Sequence, residues 1–267
     1  MDTRGNGTMP LATVRGDGDF IALLSQSGMW PTATQTGAVN AANPHTPEIV
    51  ATTVLSFHYK DGVLIAGDRR ATAGHTVVYD RADKVIDIDP YTIMAIAGTP
   101  ATAFEMARVL QHSFQYYRRS QLQPLSLEAK VRALGKLLKD NLGMTLQGIG
   151  VVVPILAAMS PNSEPHLYFY DAMGAQFLAA DFAVSGSGSP AVRSVLQYLN
   201  RWSGKPTTQR DERESIELAL QLLDVAAESD TATGGIDRRS QIFPQVKLLT
   251  RDGMRTIDQE TLVKILG

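Results

Sequence analysis

Residues 52–70 read TTVLSFHYKDGVLIAGDRR, and the rest of the chain is organised around them. Two β-rich runs, Thr52–Tyr59 and Val63–Ala66, flank Lys60-Asp61-Gly62, whose Asp-Gly pair is a strong short-range hairpin signal. The second run is broken by Gly67 and three charges, Asp68, Arg69 and Arg70. A buried strand should not end in an unpaired carboxylate, because desolvating an isolated charge is costly. Asp68 therefore needs a cation, and Lys84, at the head of the next β-like run, is the candidate.

If the Ala51–Thr52 bond is hydrolysed, Thr52 carries a hydroxyl nucleophile and a free α-amine on one residue. The reference pKa of that amine, about 7.7 to 8.0, suits a general base near neutral pH. Covalent geometry prepositions the pair, and a threonine with its own N-terminus is a known variant of triad chemistry. A lysine ammonium beside the Thr52 hydroxyl would favour its deprotonated form, and Asp68 would hold that lysine charged and oriented. The plain alternative is that Thr52-Thr53 opens a strand, Asp68 caps a turn and Lys84 is a solvated charge.

The chain has 267 residues, a formal net charge of -2 and no cysteine. It is long enough for one sizeable domain. The charge argues against a nucleic-acid binder, which needs a basic surplus. Without cysteine there is no thiol catalysis, disulfide or thiolate zinc site, and a reducing, cytoplasmic compartment is the comfortable default. The five histidines form no close ligand pair, so no metal or other cofactor is expected. The apolar stretch Val151–Met159 contains Pro154 and is far below the roughly 20 residues of a membrane span, so no membrane association is expected.

Residues 1–51 are rich in Gly, Thr, Ser, Asn, Pro and Ala, and are expected to be mostly disordered. Beyond the hairpin, Tyr91–Ala97 reads as a buried strand, and Thr99 with Pro100 as a helix start. Amphipathic helices are expected over Pro100–Arg119 and Ser126–Gln147, with Tyr116-Tyr117-Arg118-Arg119 at a surface helix end or a partner contact. Strands are expected at Gly150–Met159, His166–Asp171 and Ala175–Ala180. Phe182-Ala183-Val184 leads into Ser185-Gly186-Ser187-Gly188-Ser189-Pro190, with Ser189 as N-cap of a helix over Pro190–Trp202. Helix Glu212–Ser229, a hairpin of Ile242–Thr250 with Met254–Ile257, and a short helix Gln259–Leu266 complete the chain.

The stretch TTVLSFHYKDGVLIAGDRRATAG resembles the mature start of proteasome β subunits, in particular those of the bacterial 20S proteasome of actinobacteria. The resemblance runs from Thr52 nearly to the C-terminus. It includes Asp68 in GDRRAT, Lys84, AIAGT at Ala95–Thr99, GSGS at Gly186–Ser189 and DTATGG at Asp230–Gly235. It implies an α+β fold, the four-layer αββα sandwich of N-terminal nucleophile hydrolases, with two central antiparallel sheets between helices. It implies a threonine endopeptidase over residues 52–267, and a propeptide over 1–51 removed by autocatalysis between Ala51 and Thr52.

The same resemblance assigns Ser187 to relaying the nucleophile's proton, and Asp230 and the Thr233 hydroxyl to the surroundings of the Thr52 amine. Gly98 N–H would stabilise the oxyanion, Thr72 would contact an extended peptide through its backbone, and Ala71, Ile96 and Pro100 would line an apolar substrate pocket. Partners implied are six further copies in a homo-heptameric ring, a second such ring, α-subunit rings, a ring ATPase and unfolded protein substrates. Ala51 stands where the family usually has glycine, which leaves open an unprocessed, catalytically silent scaffold subunit. An N-terminal nucleophile amidase acting on small molecules would use the same threonine chemistry but not the full motif set.

Overall fold

A two-residue turn, Lys60-Asp61, joins β1 (Thr53–Tyr59) to β2 (Gly62–Gly67); the expected hairpin forms, but its turn falls one residue before the Asp61-Gly62 pair and Gly62 opens the second strand, opposite Tyr59. Glycine is needed at 62 for space, since a Cβ there would lie 2.2 Å from the Leu249 carbonyl oxygen of a third strand. This computed structural model describes residues 52–73 and 76–266; the leader expected over residues 1–51, Ala51 included, lies outside them.

Side chains alternate faces along a strand, and here both faces are buried. In β1, Leu55, Phe57 and Tyr59 enter one apolar cluster while Val54 enters another; in β2, Leu64 and Ala66 oppose Val63 and Ile65 in the same way. Such a strand must be covered on both sides. A five-stranded antiparallel sheet forms in the order β10-β1-β2-β11-β12, with β10 (Phe182–Gly186), β11 (Gln245–Thr250) and β12 (Gly253–Thr256). The second sheet, also antiparallel, runs β5-β6-β7-β8-β9: Val85–Asp89, Thr92–Ala95, Ile155–Met159, Pro165–Tyr170 and Gln176–Leu178. A small hairpin, β3 (Ala71–Ala73) with β4 (Thr76–Tyr79), stands apart.

Three apolar clusters mark three interfaces between four layers. Val54, Val63, Ile65 and Leu249 of the first sheet meet Ile93, Ala95, Ile155, Ala157 and Leu167 of the second. The outer face of the second sheet, through Met94, Leu156 and Tyr170, packs on α1 (Pro100–Gln121) and α2 (Leu127–Asp140). In α1 the buried Ala103, Met106, Ala107, Leu110 and Phe114 recur at steps of three and four, giving one apolar stripe. The outer face of the first sheet packs on α4 (Ser189–Trp202), α5 (Glu212–Ser229) and α6 (Gln259–Leu266), after a one-turn α3 at Leu142–Leu146. The expected αββα sandwich is the observed architecture.

Several boundaries differ from the expectation. The helix foreseen over Ser126–Gln147 breaks at Asn141, whose side-chain amide donates instead to the Gly150 carbonyl at 2.6 Å. The strand foreseen from Gly150 begins only at Ile155, after Pro154, and upstream keeps one bridge between Val152 and Gly98. The strand foreseen from Ile242 starts at Gln245. The helix expected to be capped by Ser189 is entered one residue earlier, from Gly188. Strand β4 was not foreseen: Val77, Val78 and Tyr79 are all exposed, so no alternation marks it. Among the described residues no helix is long and apolar enough to cross a membrane.

Polar side chains cross the apolar seam between the sheets. The Gln245 Oε1 of β11 accepts from the backbone N–H of Lys84 at 3.1 Å and of Val85 at 2.9 Å, and Lys247 Nζ reaches Asp87 of β5 at 2.5 Å. Ser185 of β10 donates to the Val153 carbonyl at 2.7 Å.

Core truncation should separate the layers' contributions. Leu134→Ala, at a fully buried position of α2, is expected to cost about 3 kcal/mol, against less than about 0.5 kcal/mol for Leu122→Ala at the exposed end of α1, read as shifts in urea unfolding midpoint.

Candidate active site

The first described residue sits at the junction of both sheets. Thr52 is 3% exposed and its carbonyl accepts the Ser187 N–H at 2.9 Å. The chain opposite turns sharply at Gly186, with φ +98°, where a Cβ would lie 1.7 Å from the Thr52 carbonyl oxygen. Only glycine fits there on both counts.

Asp68 is fully buried and has four donors. Its Oδ1 accepts from Lys84 Nζ at 2.7 Å and from Thr53 N–H at 2.9 Å; its Oδ2 accepts from the N–H groups of Arg70 and Gly234, each at 2.9 Å. The cation that the sequence demanded for Asp68 is Lys84. Its ammonium also donates to the Arg70 carbonyl at 2.5 Å. Burial holds the Lys84 pKa below the ordinary lysine value; Asp68 works in the opposite direction, keeping the proton on.

A second network lies against the first. Asp230 Oδ2 accepts from the Ser187 hydroxyl and from the Thr233 hydroxyl, each at 2.5 Å, while its Oδ1 accepts from Ala232 N–H at 3.1 Å. The Thr233 oxygen is also 2.6 Å from the Thr53 hydroxyl, which accepts Gly188 N–H at 3.0 Å. Arg70 fastens this turn to the first network by donating to the carbonyls of Thr231 at 2.9 Å and Thr233 at 3.2 Å.

Gly98 has φ +110° and forms a bridge with Val152. The flanking bonds, Thr99 N–H to Val151 O at 2.7 Å and Val153 N–H to Ala97 O at 2.9 Å, make Gly98 and Val152 a non-hydrogen-bonded pair. Its own N–H therefore points away from Val152. A cavity of about 460 Å³ opens here, lined by Thr52, Gly98, Val151, Val153, Val184 and Ser187 among others. Thr52, Gly98, Ser187 and three valines thus border one space.

The structure brings Thr52, Asp68, Lys84, Ser187, Asp230, Thr233 and Gly98 into one region. Of the three residues expected to line a substrate pocket, Ile96 is buried on the helix side of the second sheet, two residues before Gly98, while Ala71 opens β3 and Pro100 opens α1. Thr72 lies buried in β3, next to a bulge in its pairing with β4.

A family model described as "Proteasome subunit" matches residues 50–238. The chain belongs to the proteasome subunit family. It is 37% identical over 242 residues to proteasome subunit beta 1 of Streptomyces avermitilis, covering 89% of this chain and 80% of that one. It is 34% identical over 264 residues to proteasome subunit beta 2 of Thermomonospora curvata, covering 98% and 91%, and 34% identical over 269 residues to a proteasome subunit beta of Streptomyces griseus, covering 97% and 91%.

For a proteasome β-type subunit, three residues of this site had escaped the sequence reading. Thr53 joins the two networks, Arg70 ties the Asp230 turn to Asp68, and Gln245 fixes the backbone that carries Lys84. The doubled threonine and the doubled arginine were the available signals. Gln245 leaves none, because it acts on backbone groups across the seam.

The sign of the pH effect follows from burial of Lys84. Its folded pKa lies below its unfolded value of about 10.4, so between the two the unfolded chain binds more protons and stability rises with pH. Asp68→Asn removes the charge that opposes this depression. Its expected effect is to widen the alkaline window over which stability climbs and to cost about 3 to 5 kcal/mol at neutral pH, measured by denaturant unfolding across pH.

Proposed function

We propose that this chain is the threonine endopeptidase subunit of a 20S proteasome, active once residues 1–51 are removed as a propeptide and Thr52 becomes the N-terminus. The observation that carries this reading is the shared cavity. Thr52, Gly98 and Ser187 line it together, and the next residue, Thr53, bonds to both the Asp68–Lys84 and the Ser187–Asp230–Thr233 networks.

In the proposed reaction the Thr52 hydroxyl attacks the carbonyl carbon of a peptide bond, and its proton passes to the Thr52 α-amine, directly or through a water. The Lys84 ammonium, kept charged by Asp68, lowers the cost of negative charge on the Thr52 oxygen. The tetrahedral oxyanion takes the Gly98 N–H as donor. Collapse breaks the C–N bond, the departing amine receives the proton, and a Thr52 ester remains. Water, deprotonated by the same amine, then hydrolyses the ester and restores the hydroxyl. Ser187, Asp230 and Thr233 order the amine and its proton path.

Assembly follows the family: homo-heptameric β rings stacked on one another, α subunits outside them and a ring ATPase that supplies unfolded protein, in the cytoplasm. The second reading is a scaffold subunit of the same ring that keeps its leader. Ala51, in place of the family's usual glycine, is the observation that favours it.

N-terminal sequencing of the subunit co-assembled with its α partner separates the two. A chain beginning TTVLSF is expected; an intact leader overturns the endopeptidase reading. In assemblies made from chains produced without residues 1–51, Thr52→Ala should lower peptide hydrolysis by more than about 1,000-fold relative to the unaltered sequence. Hydrolysis by the unaltered assembly should rise with pH as an amine of pKa near about 7.7 to 8.0 loses its proton.

A further inference from the structure

We propose that the Thr53 side chain is a positioning residue for this site, its hydroxyl fixing the Asp230–Ser187 pair and the 186–188 segment relative to Thr52. The inference rests on the threonine-endopeptidase reading and adds to it a residue that the motif comparison did not supply.

The hydrogen-bond directions are forced. The single proton of the Thr233 hydroxyl goes to Asp230 Oδ2 at 2.5 Å, so the 2.6 Å contact between the two threonine oxygens must be donated by Thr53. With its own proton used there, the Thr53 oxygen accepts from Gly188 N–H at 3.0 Å. The result is a directed chain from Gly188 through Thr53 and Thr233 to Asp230, which the Ser187 hydroxyl joins from the other side.

Thr53 is fully buried, so the lost partners have no access to bulk water. Its backbone is equally committed: the N–H donates to Asp68 Oδ1 at 2.9 Å and the carbonyl accepts the Asp68 N–H at 3.1 Å. Thr53 therefore joins the Asp68–Lys84 network to the Asp230–Ser187 network through its side chain and amide, beside the ties made by Arg70 and Gly234. Gly188 follows from the same contact, since a Cβ there would lie 2.4 Å from the Thr53 hydroxyl oxygen and 2.9 Å from that of Thr233. Removing the hydroxyl while keeping the shape would leave Gly188 N–H and the Thr233 oxygen each short of a partner, and would weaken the donor that holds Asp230.

A positioning role predicts a loss in the chemical step with binding intact. Thr53→Val exchanges the hydroxyl for a methyl at nearly constant volume, and Thr53→Ser keeps the hydroxyl. Both are measured in the co-assembled proteasome on a fluorogenic peptide. Rates are normalised to the fraction of chains whose mass shows a start at Thr52, and unfolding midpoint and assembly mass are recorded alongside.

The expected result is a kcat for Thr53→Val reduced about tenfold or more with KM within about twofold, and recovery in Thr53→Ser to within about threefold of the unaltered rate. If Thr53→Val does not assemble, Thr53→Ala is measured in its place. A double variant with Thr233→Val should be no slower than the slower single variant, because both break one chain. Unchanged kcat in the hydroxyl-free variant, equal impairment of Thr53→Ser, or independent, multiplying losses in the double variant would each overturn the positioning role while leaving the protease reading intact. A Thr52→Ala assembly as active as the unaltered one would overturn both.

Discussion

A carboxylate with no solvent exposure sets the terms for the rest of this molecule. Removing Asp68 from water is tolerable only because four donors converge on its two oxygens, one of them an ammonium. Those donors come from the start of β1, the exit of β2, the lead into β5 and a turn more than 160 residues downstream. Only the Arg70 N–H is local; the other three donors lie 15, 16 and 166 residues from Asp68 in sequence. The fold is consequently required to bring three distant stretches to this carboxylate, beside the start of β1.

The sandwich meets this requirement through ties that cross an otherwise apolar seam. Gln245 holds Lys84 and Val85 of the second sheet against β11 of the first, Lys247 pairs with Asp87 further along, and Ser185 pins β10 to Val153. Apolar packing alone resists sliding weakly, because hydrophobic contact is non-directional. Directed bonds fix the register. The register in turn sets the Gly98 segment of the second sheet and the Gly186–Gly188 segment of the first around Thr52, so the site belongs to the interface of two sheets rather than to a flexible loop.

What could be read in advance divides along the same line. The β1–β2 hairpin followed from Asp61-Gly62, and the Asp68–Lys84 pair from the cost of a buried charge, with no relative needed. Ser187, Asp230 and Thr233 were reached through resemblance only, because hydroxyls and carboxylates in Gly-rich turns carry no periodic signal. The residues missed were those that act on backbone: Gln245 on two amides, Arg70 on two carbonyls, and Thr53 through both its amide and its hydroxyl. Boundaries failed where a side chain outcompeted local propensity, as at Asn141, or where exposure erased alternation, as in β4.

The cavity at Thr52 has two kinds of wall. Val151, Val153 and Val184 offer no hydrogen bonds from their side chains, while Thr52, Ser185, Ser187 and Ser189 carry hydroxyls, so water is held on the second side and easily displaced by an apolar group on the first. In the proposed reaction a substrate that displaces water there would lower the local dielectric and strengthen the attraction between negative charge on the Thr52 oxygen and the Lys84 ammonium. The same low dielectric would discharge an isolated lysine, and burial does pull the Lys84 pKa down. Asp68 reconciles the two demands: its carboxylate, 2.7 Å from the ammonium, favours the charged form of Lys84 in surroundings that by burial alone would discharge it.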